Sequence, residues 1–223
     1  ATSNWRSSDV TLGPMVLEKT QEVHRRLRNS CRFILGNLHD FDPDTGALPR
    51  EALRGIDRWA LSEIAQYTRA AQASYDEYAF SRLIADATTF ATTTLSSHYF
   101  GAVKDRLYCA SPDSDSRRAA QTVLHHALDA MVLSMAPVLP FTAEEVHSHR
   151  RHLGRGMESV FYQTWDASPV GWHDDELTAR WRAALGVKAA TDRLAQVALK
   201  EKRVAAVGEL RVEVLLPPGE TSI

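Results

Sequence analysis

Apolar residues recur along this chain mostly at three- and four-residue steps, the pattern of helices that bury one face. The first such stretch opens at Gly13 and Pro14, where proline at the first helical position gives up only a donor that would go unpaired anyway. The spacing predicts a helix from there to about His39, with Thr20, Val23, Leu27, Cys31, Ile34 and Leu38 on its inner stripe. At about 100° per residue, Arg25, Arg28 and Arg32 fall together on the opposite side as a basic ridge. The turn formers Asp40, Asp42, Pro43, Asp44 and Gly46 end this helix, and a loop runs on to Gly55.

Asp57 is placed to cap a second helix carrying Trp59, Leu61, Ile64, Tyr67 and Tyr75. A third helix is expected over Tyr78 to Tyr108, with Phe80, Leu83, Ile84, Ala87, Phe90 and Leu95 inward, although Thr88, Thr89, Thr92, Thr93 and Thr94 lower helix propensity there. Ser111 to Ser116 offers N-caps for a fourth helix, Arg117 to Ala136, which Pro137 and Pro140 stop. Thr142 and Glu145 have the spacing of a capping box and open a short fifth helix that Gly154 and Gly156 close. Phe161, Tyr162 and Trp165 are aromatic anchors of a connector. A last long helix is predicted over Asp175 to Val204, and Glu209 to Leu215 alternates polar and apolar residues as a strand does. One strand makes no sheet, so its partners are expected in sequence absent here.

The predicted fold is therefore all-α: a bundle of four to five long helices, then a final long helix and a short β element. Three segments follow from it. Residues 1–13 are a connector, 14–155 the bundle, and 156–223 a connector, long helix and the start of a small α/β appendix.

Composition narrows the function. With 44% hydrophobic and 24% charged residues the chain is globular, and no window has the roughly 18–20 apolar residues of a membrane span. The formal net charge of −2 argues against a general nucleic-acid binder, so any RNA contact must come from a local basic stripe. Cys31 and Cys109 are the only cysteines, which disfavours disulfide scaffolds and thiolate zinc sites and fits an intracellular compartment. The chain starts at Ala1 with its first methionine at Met15, and is expected to be a piece opened mid-protein.

Phosphate loops of the Walker or Rossmann type, a nucleophile elbow and a His-Glu-x-x-His pair are all missing. Among nine histidines, His147, His149 and His152 are close in sequence and His125 and His126 adjacent, yet no cysteine or converging carboxylate completes a metal site. They are expected as partly exposed surface residues, and no metal is assigned. Glu144, Glu145, Asp174 and Asp175 are explained as helix N-terminal carboxylates, not acid–base machinery. The arginine ridge is the strongest candidate for recognition, because guanidinium forks match phosphate oxygens and stack on unpaired bases. Lys104 with Arg106, and Lys200, Lys202 and Arg203, are further basic clusters, each also explicable as cations near a helix C-terminus.

Five blocks, in order, carry a family resemblance. Arg28-Asn29-Ser30-Cys31-Arg32-Phe33 continues through Asn37-Leu38 to Phe41-Asp42-Pro43; Asp57-Arg58-Trp59-Ala60-Leu61 follows; then come Lys104-Asp105-Arg106-Leu107-Tyr108-Cys109, Arg117-Arg118-Ala119-Ala120-Gln121-Thr122-Val123-Leu124, and Ala136-Pro137-Val138-Leu139-Pro140-Phe141-Thr142-Ala143-Glu144-Glu145. Together they resemble the isoleucyl-tRNA synthetases over about residues 4 to 216. The resemblance implies the anticodon-binding bundle of a class I synthetase, without the catalytic domain whose His-Ile-Gly-His-like and Lys-Met-Ser-Lys-Ser-like motifs bind ATP and isoleucine. It implies that His24, Arg25, Arg28, Asn29, Arg32, Lys104 and Arg106 meet the anticodon stem-loop of isoleucine tRNA, with Lys200, Lys202 and Arg203 as a secondary basic cluster. No catalytic residue and no cofactor is expected in this chain; ATP and Mg²⁺ belong to the missing domain. Expected partners are isoleucine tRNA and that domain, with no membrane, in a monomer of the cytoplasm or mitochondrial matrix. Leu12-Gly13-Pro14-Met15-Val16-Leu17 leans towards mitochondrial members. His147 departs from the family's aromatic. The alternative reading is a free-standing or repurposed helical domain for protein–protein or other RNA interaction.

Overall fold

The computed structural model describes residues 13–150, 159–165 and 171–214. All regular structure among the described residues is helical. The chain divides into two compact units, Ala1–His173 and Asp174–Ile223.

The first unit is the predicted bundle. Helix α1 spans Pro14–Asn37, a single turn α2 Pro43–Gly46, and α3 Gly55–Asp76. Helix α4 (Phe80–Thr89), a π-helical segment (Phe90–Phe100) and α5 (Gly101–Cys109) form one continuous run. Helices α6 (Asp115–Met135) and α7 (Pro140–Ser148) complete it, followed by a 3₁₀ turn at Val160–Tyr162. Helix α6 packs on α3, α5, α1 and α7. It buries Val123, Leu124, Leu128 and Met131 at 1% exposure or less. At roughly 1.5–3 kcal/mol for each such side chain, α6 is the bundle's main apolar anchor.

The buried stripe of α1 begins only at Leu27 and continues through Cys31 and Ile34. Thr20, expected inside, is exposed, and its hydroxyl donates to the Val16 carbonyl at 2.8 Å. Burial pushes the Cys31 thiol up to about 12, so it is an inert core group.

The threonine-rich stretch is where the predicted third helix departs from α geometry. The Thr88 and Thr92 hydroxyls donate to carbonyls four residues back, and those of Ser96 and Ser97 to carbonyls five back. The wider π register turns Phe90, Ala91, Leu95, Tyr99 and Phe100 inward, a four-to-five-residue spacing that an α-helix cannot keep on one face. Ser30 of α1 approaches closely enough for its hydroxyl to donate to the Ala91 carbonyl at 3.3 Å, and Phe33 stacks on Phe100 with centroids 4.2 Å apart.

Four expectations are corrected. Asp57 is no cap: Arg54 holds that position, and Asp57 lies inside α3 with no exposed surface. Thr142 and Glu145 form no capping box, because Pro140 takes the first position of α7 and both residues fall within the helix, where their side chains reach α1 instead. Helix α7 stops at Ser148, and Gly154 and Gly156 lie outside the described residues. His147 is fully buried and not a surface residue; it fills a core position on α7.

In the second unit, α8 spans Asp175–Lys200, capped by the Asp174 carboxylate accepting from the Leu177 N–H at 2.9 Å. It closes with Lys202 at φ 56° and the Arg203 N–H donating to the Ala198 carbonyl at 2.9 Å, a Schellman-type stop. The predicted β element is absent among the described residues: Val207–Glu209 is a 3₁₀ turn and 210–214 carry no ladder. Alternation alone supplies no partner for the strand's hydrogen bonds.

Candidate nucleic-acid interface

The outer face of α1 presents the predicted ridge. Arg25, Arg28, Asn29 and Arg32 are all exposed, as an arginine at every third or fourth position must be when Leu27, Cys31 and Ile34 define the buried side. Two of the three guanidinium groups already hold a carboxylate. Arg25 pairs with Glu22 at 2.8 Å, and Glu22 also takes Arg26 at 2.7 Å. Arg28 reaches across to α7 and grips Glu145 through Nε, at 3.2 Å, and Nη2. Arg32 makes no ion pair among the described residues. Hydrogen bonding to Arg28 holds the Glu145 carboxyl below its ordinary value and raises the Arg28 guanidinium in return.

His24 is half-buried, its Nε2 2.9 Å from the Thr142 hydroxyl. It ties α1 to α7 and is not a free surface group. Arg106 is corrected more sharply: its Nη1 and Nη2 donate to the two Asp57 oxygens at 2.9 and 2.8 Å, and its Nε donates to the Ser116 carbonyl at 2.9 Å. With a side chain only 10% exposed and its donors taken up inside the protein, it is a structural residue. The Tyr99 hydroxyl donates to the same Asp57 at 2.8 Å, and burial, then the neighbouring carboxylate, push its phenol well up.

Lys104 is exposed on α5, which packs on α6 and the π segment. Lys200, Lys202 and Arg203 are exposed at the end of α8 in the second unit, and Arg203 pairs with Glu201 at 2.7 Å. The structure thus gathers Arg25, Arg28, Asn29 and Arg32 on the exposed face of one element and leaves Lys104, Lys200, Lys202 and Arg203 on others.

Sequence reasoning missed the groove beside the ridge. A cavity of about 620 Å³ opens between the second half of α1, the Leu38–Pro43 turn, α6 and α7. Leu35, Leu38, Phe41, Leu128 and Val146 give it apolar walls, while Arg28, Arg32, His39, His149 and Glu145 stand among its lining residues. Apolar walls with a few convergent polar groups are the ordinary make-up of a ligand site. Nothing local signals it, since the walls come from segments about a hundred residues apart.

His125, His126 and Asp129 of α6 lie close enough to share a cation. His125 Nε2 is 3.3 Å from one Asp129 oxygen, and the Arg150 guanidinium occupies the other. Burial lowers the pKa of His125 and, with the neighbouring His125, takes His126 down to about 4. The Trp172 ring packs 4.5 Å from His126. The Arg150 Nη1 thus already pairs with the carboxylate, while its Nε and Nη2 are buried without a hydrogen-bond partner among the described residues.

A helical bundle with an arginine-faced first helix and an adjoining groove is an architecture suited to gripping structured RNA. Residues 57–222 match the family described as the anticodon-binding domain of tRNA ligase, and the chain belongs to that family. Isoleucine–tRNA ligases are among its relatives. That of Thermotoga maritima is 38% identical over 97% of this chain, that of Aquifex aeolicus 40% over 89%, and that of Geobacter sulfurreducens 34% over 95%. The chain spans 23%, 21% and 22% of these relatives' lengths. All three are bacterial, and the mitochondrial lean finds no support in them. No helix among the described residues is long and apolar enough to cross a membrane.

Proposed function

We propose that this chain is the anticodon-binding module of an isoleucine–tRNA ligase, holding the anticodon stem-loop of isoleucine tRNA on the outer face of α1. The observation that carries the proposal is the arginine row itself: Arg25, Arg28 and Arg32 stay exposed on one helix, whose opposite face is buried in the bundle from Leu27 onward. Rigid presentation matters because phosphate contacts position an RNA only if the donors keep their spacing. Asn29 sits within the row, and the groove at its side has room for an unstacked base.

In this reading the module does no bond chemistry. ATP, Mg²⁺ and isoleucine bind in the remainder of the enzyme, and the bundle's role is to select the tRNA and present its acceptor end there. No observation favours a repurposed or free-standing domain. The chain is expected to show no isoleucine-dependent ATP–pyrophosphate exchange of its own.

The test is a binding titration of isoleucine tRNA and a non-cognate tRNA across several salt concentrations. Binding should weaken steeply with salt, and replacing Arg25, Arg28 and Arg32 by alanine together should flatten the slope of log K against log[salt] by about two. Unchanged affinity and slope in that variant would remove the ridge from the interface.

A further inference from the structure

The ridge is less positive than its arginine count suggests. Of Arg25, Arg28 and Arg32, only Arg32 has no carboxylate partner among the described residues; Arg28 is gripped through two nitrogens by Glu145, a residue 117 positions away on another helix. A carboxylate held by a guanidinium fork has the planar, two-oxygen geometry that a phosphate offers to the same fork. Both side chains are nearly half exposed, at 47% and 45%, so the pair is solvated and exchanges readily. Both also line the groove, so the exchange falls at its edge.

We infer that Glu145 is a built-in phosphate mimic that occupies Arg28 in the free protein and must be displaced when RNA binds. This rests on the proposed function and deepens it. Glu145 keeps Arg28 extended across the α1–α7 seam, ready for a phosphate, and it subtracts one charge from the ridge until a phosphate replaces it. The other groups facing Glu145 are His149, whose ring is 2.7 Å from the Glu145 carbonyl, and His24, held by Thr142; both leave the carboxylate to Arg28.

The test measures binding of the full 223-residue chain to an isoleucine tRNA transcript, for the unaltered protein and for Glu145→Gln, Arg28→Ala and the double variant. Glu18→Gln, an exposed acid on α1 with no ridge partner among the described residues, reports the generic gain from removing one negative charge. Glu145→Gln should tighten binding by about three- to ten-fold at low salt, because no carboxylate then has to leave Arg28 before the phosphate arrives. With Arg28 replaced by alanine, the gain should fall to that of Glu18→Gln. The inference is overturned if Glu145→Gln gains no more than Glu18→Gln, or gains as much without Arg28, while the unaltered chain still binds tRNA in a salt-sensitive way. Absence of any tRNA binding by the unaltered chain overturns the proposed function and this inference together.

Discussion

A carboxylate with no exposed surface survives only where cations and donors replace its water. Asp57 meets that demand through Arg106 and Tyr99, which bring α3, α5 and the π segment to one point. Removing one partner leaves a buried charge uncompensated, so Asp57→Ala or Arg106→Ala should cost about 3–5 kcal/mol, read by urea denaturation. A surface arginine would cost under about 0.5 kcal/mol. Any loss of tRNA affinity in Arg106→Ala should track unfolding, and a folded variant with selectively lost binding would contradict the structural role. The sequence showed Arg106 within a basic block but not its burial, because Asp57 is 49 residues away and only packing brings them together. Arg25, Arg28 and Arg32 were legible, since a helical period alone sets which face they share.

Within single elements, local rules decided most of what was correct. Pro14 starts α1, Ser114 caps α6 and accepts from the Arg117 N–H, and Asp174 caps α8. Helix α8 buries only Thr178 and Ala195, so its stability leans on capping and propensity more than on packing. Asp174→Ala should cost roughly 0.5–2 kcal/mol, seen as lost helicity by circular dichroism and faster amide exchange in the first turn of α8. Undiminished protection there would show that the cap contributes nothing. The local rules failed where a neighbour overrode them. The π register of Phe90–Phe100 follows from fitting Leu95 and Tyr99 into the core, and Thr142 and Glu145, which fall inside α7, bond side chains of α1 instead of capping their own helix.

At the scale of the whole molecule, the folding equilibrium should carry the mark of the half-buried pair His125 and His126. His126 falls to about 4 from the 6.5 of an open chain, through burial first and His125 second. Between those values the unfolded chain binds a proton that the folded chain refuses, so stability rises with pH. Its contribution is complete above 6.5 and is lost as pH falls towards 4, amounting to roughly 3 kcal/mol at most. Urea midpoints measured from about pH 7.5 down to 4.5 should fall accordingly, and His126→Gln should flatten the profile. A profile that is equally steep in the variant would mean that other groups set the acid limit.

The helical class, the number of long helical runs, their approximate ends and the arginine face were all determined by residue order. Each depends on interactions within a few residues, and helical periodicity records those directly. Tertiary structure alone decided that Arg106 is interior, that Arg28 is held by Glu145, that a groove opens beside the ridge, and that residues 210–214 form no strand. These depend on which distant segments meet, and on burial, which turns a charged side chain from a surface contact into a structural bond.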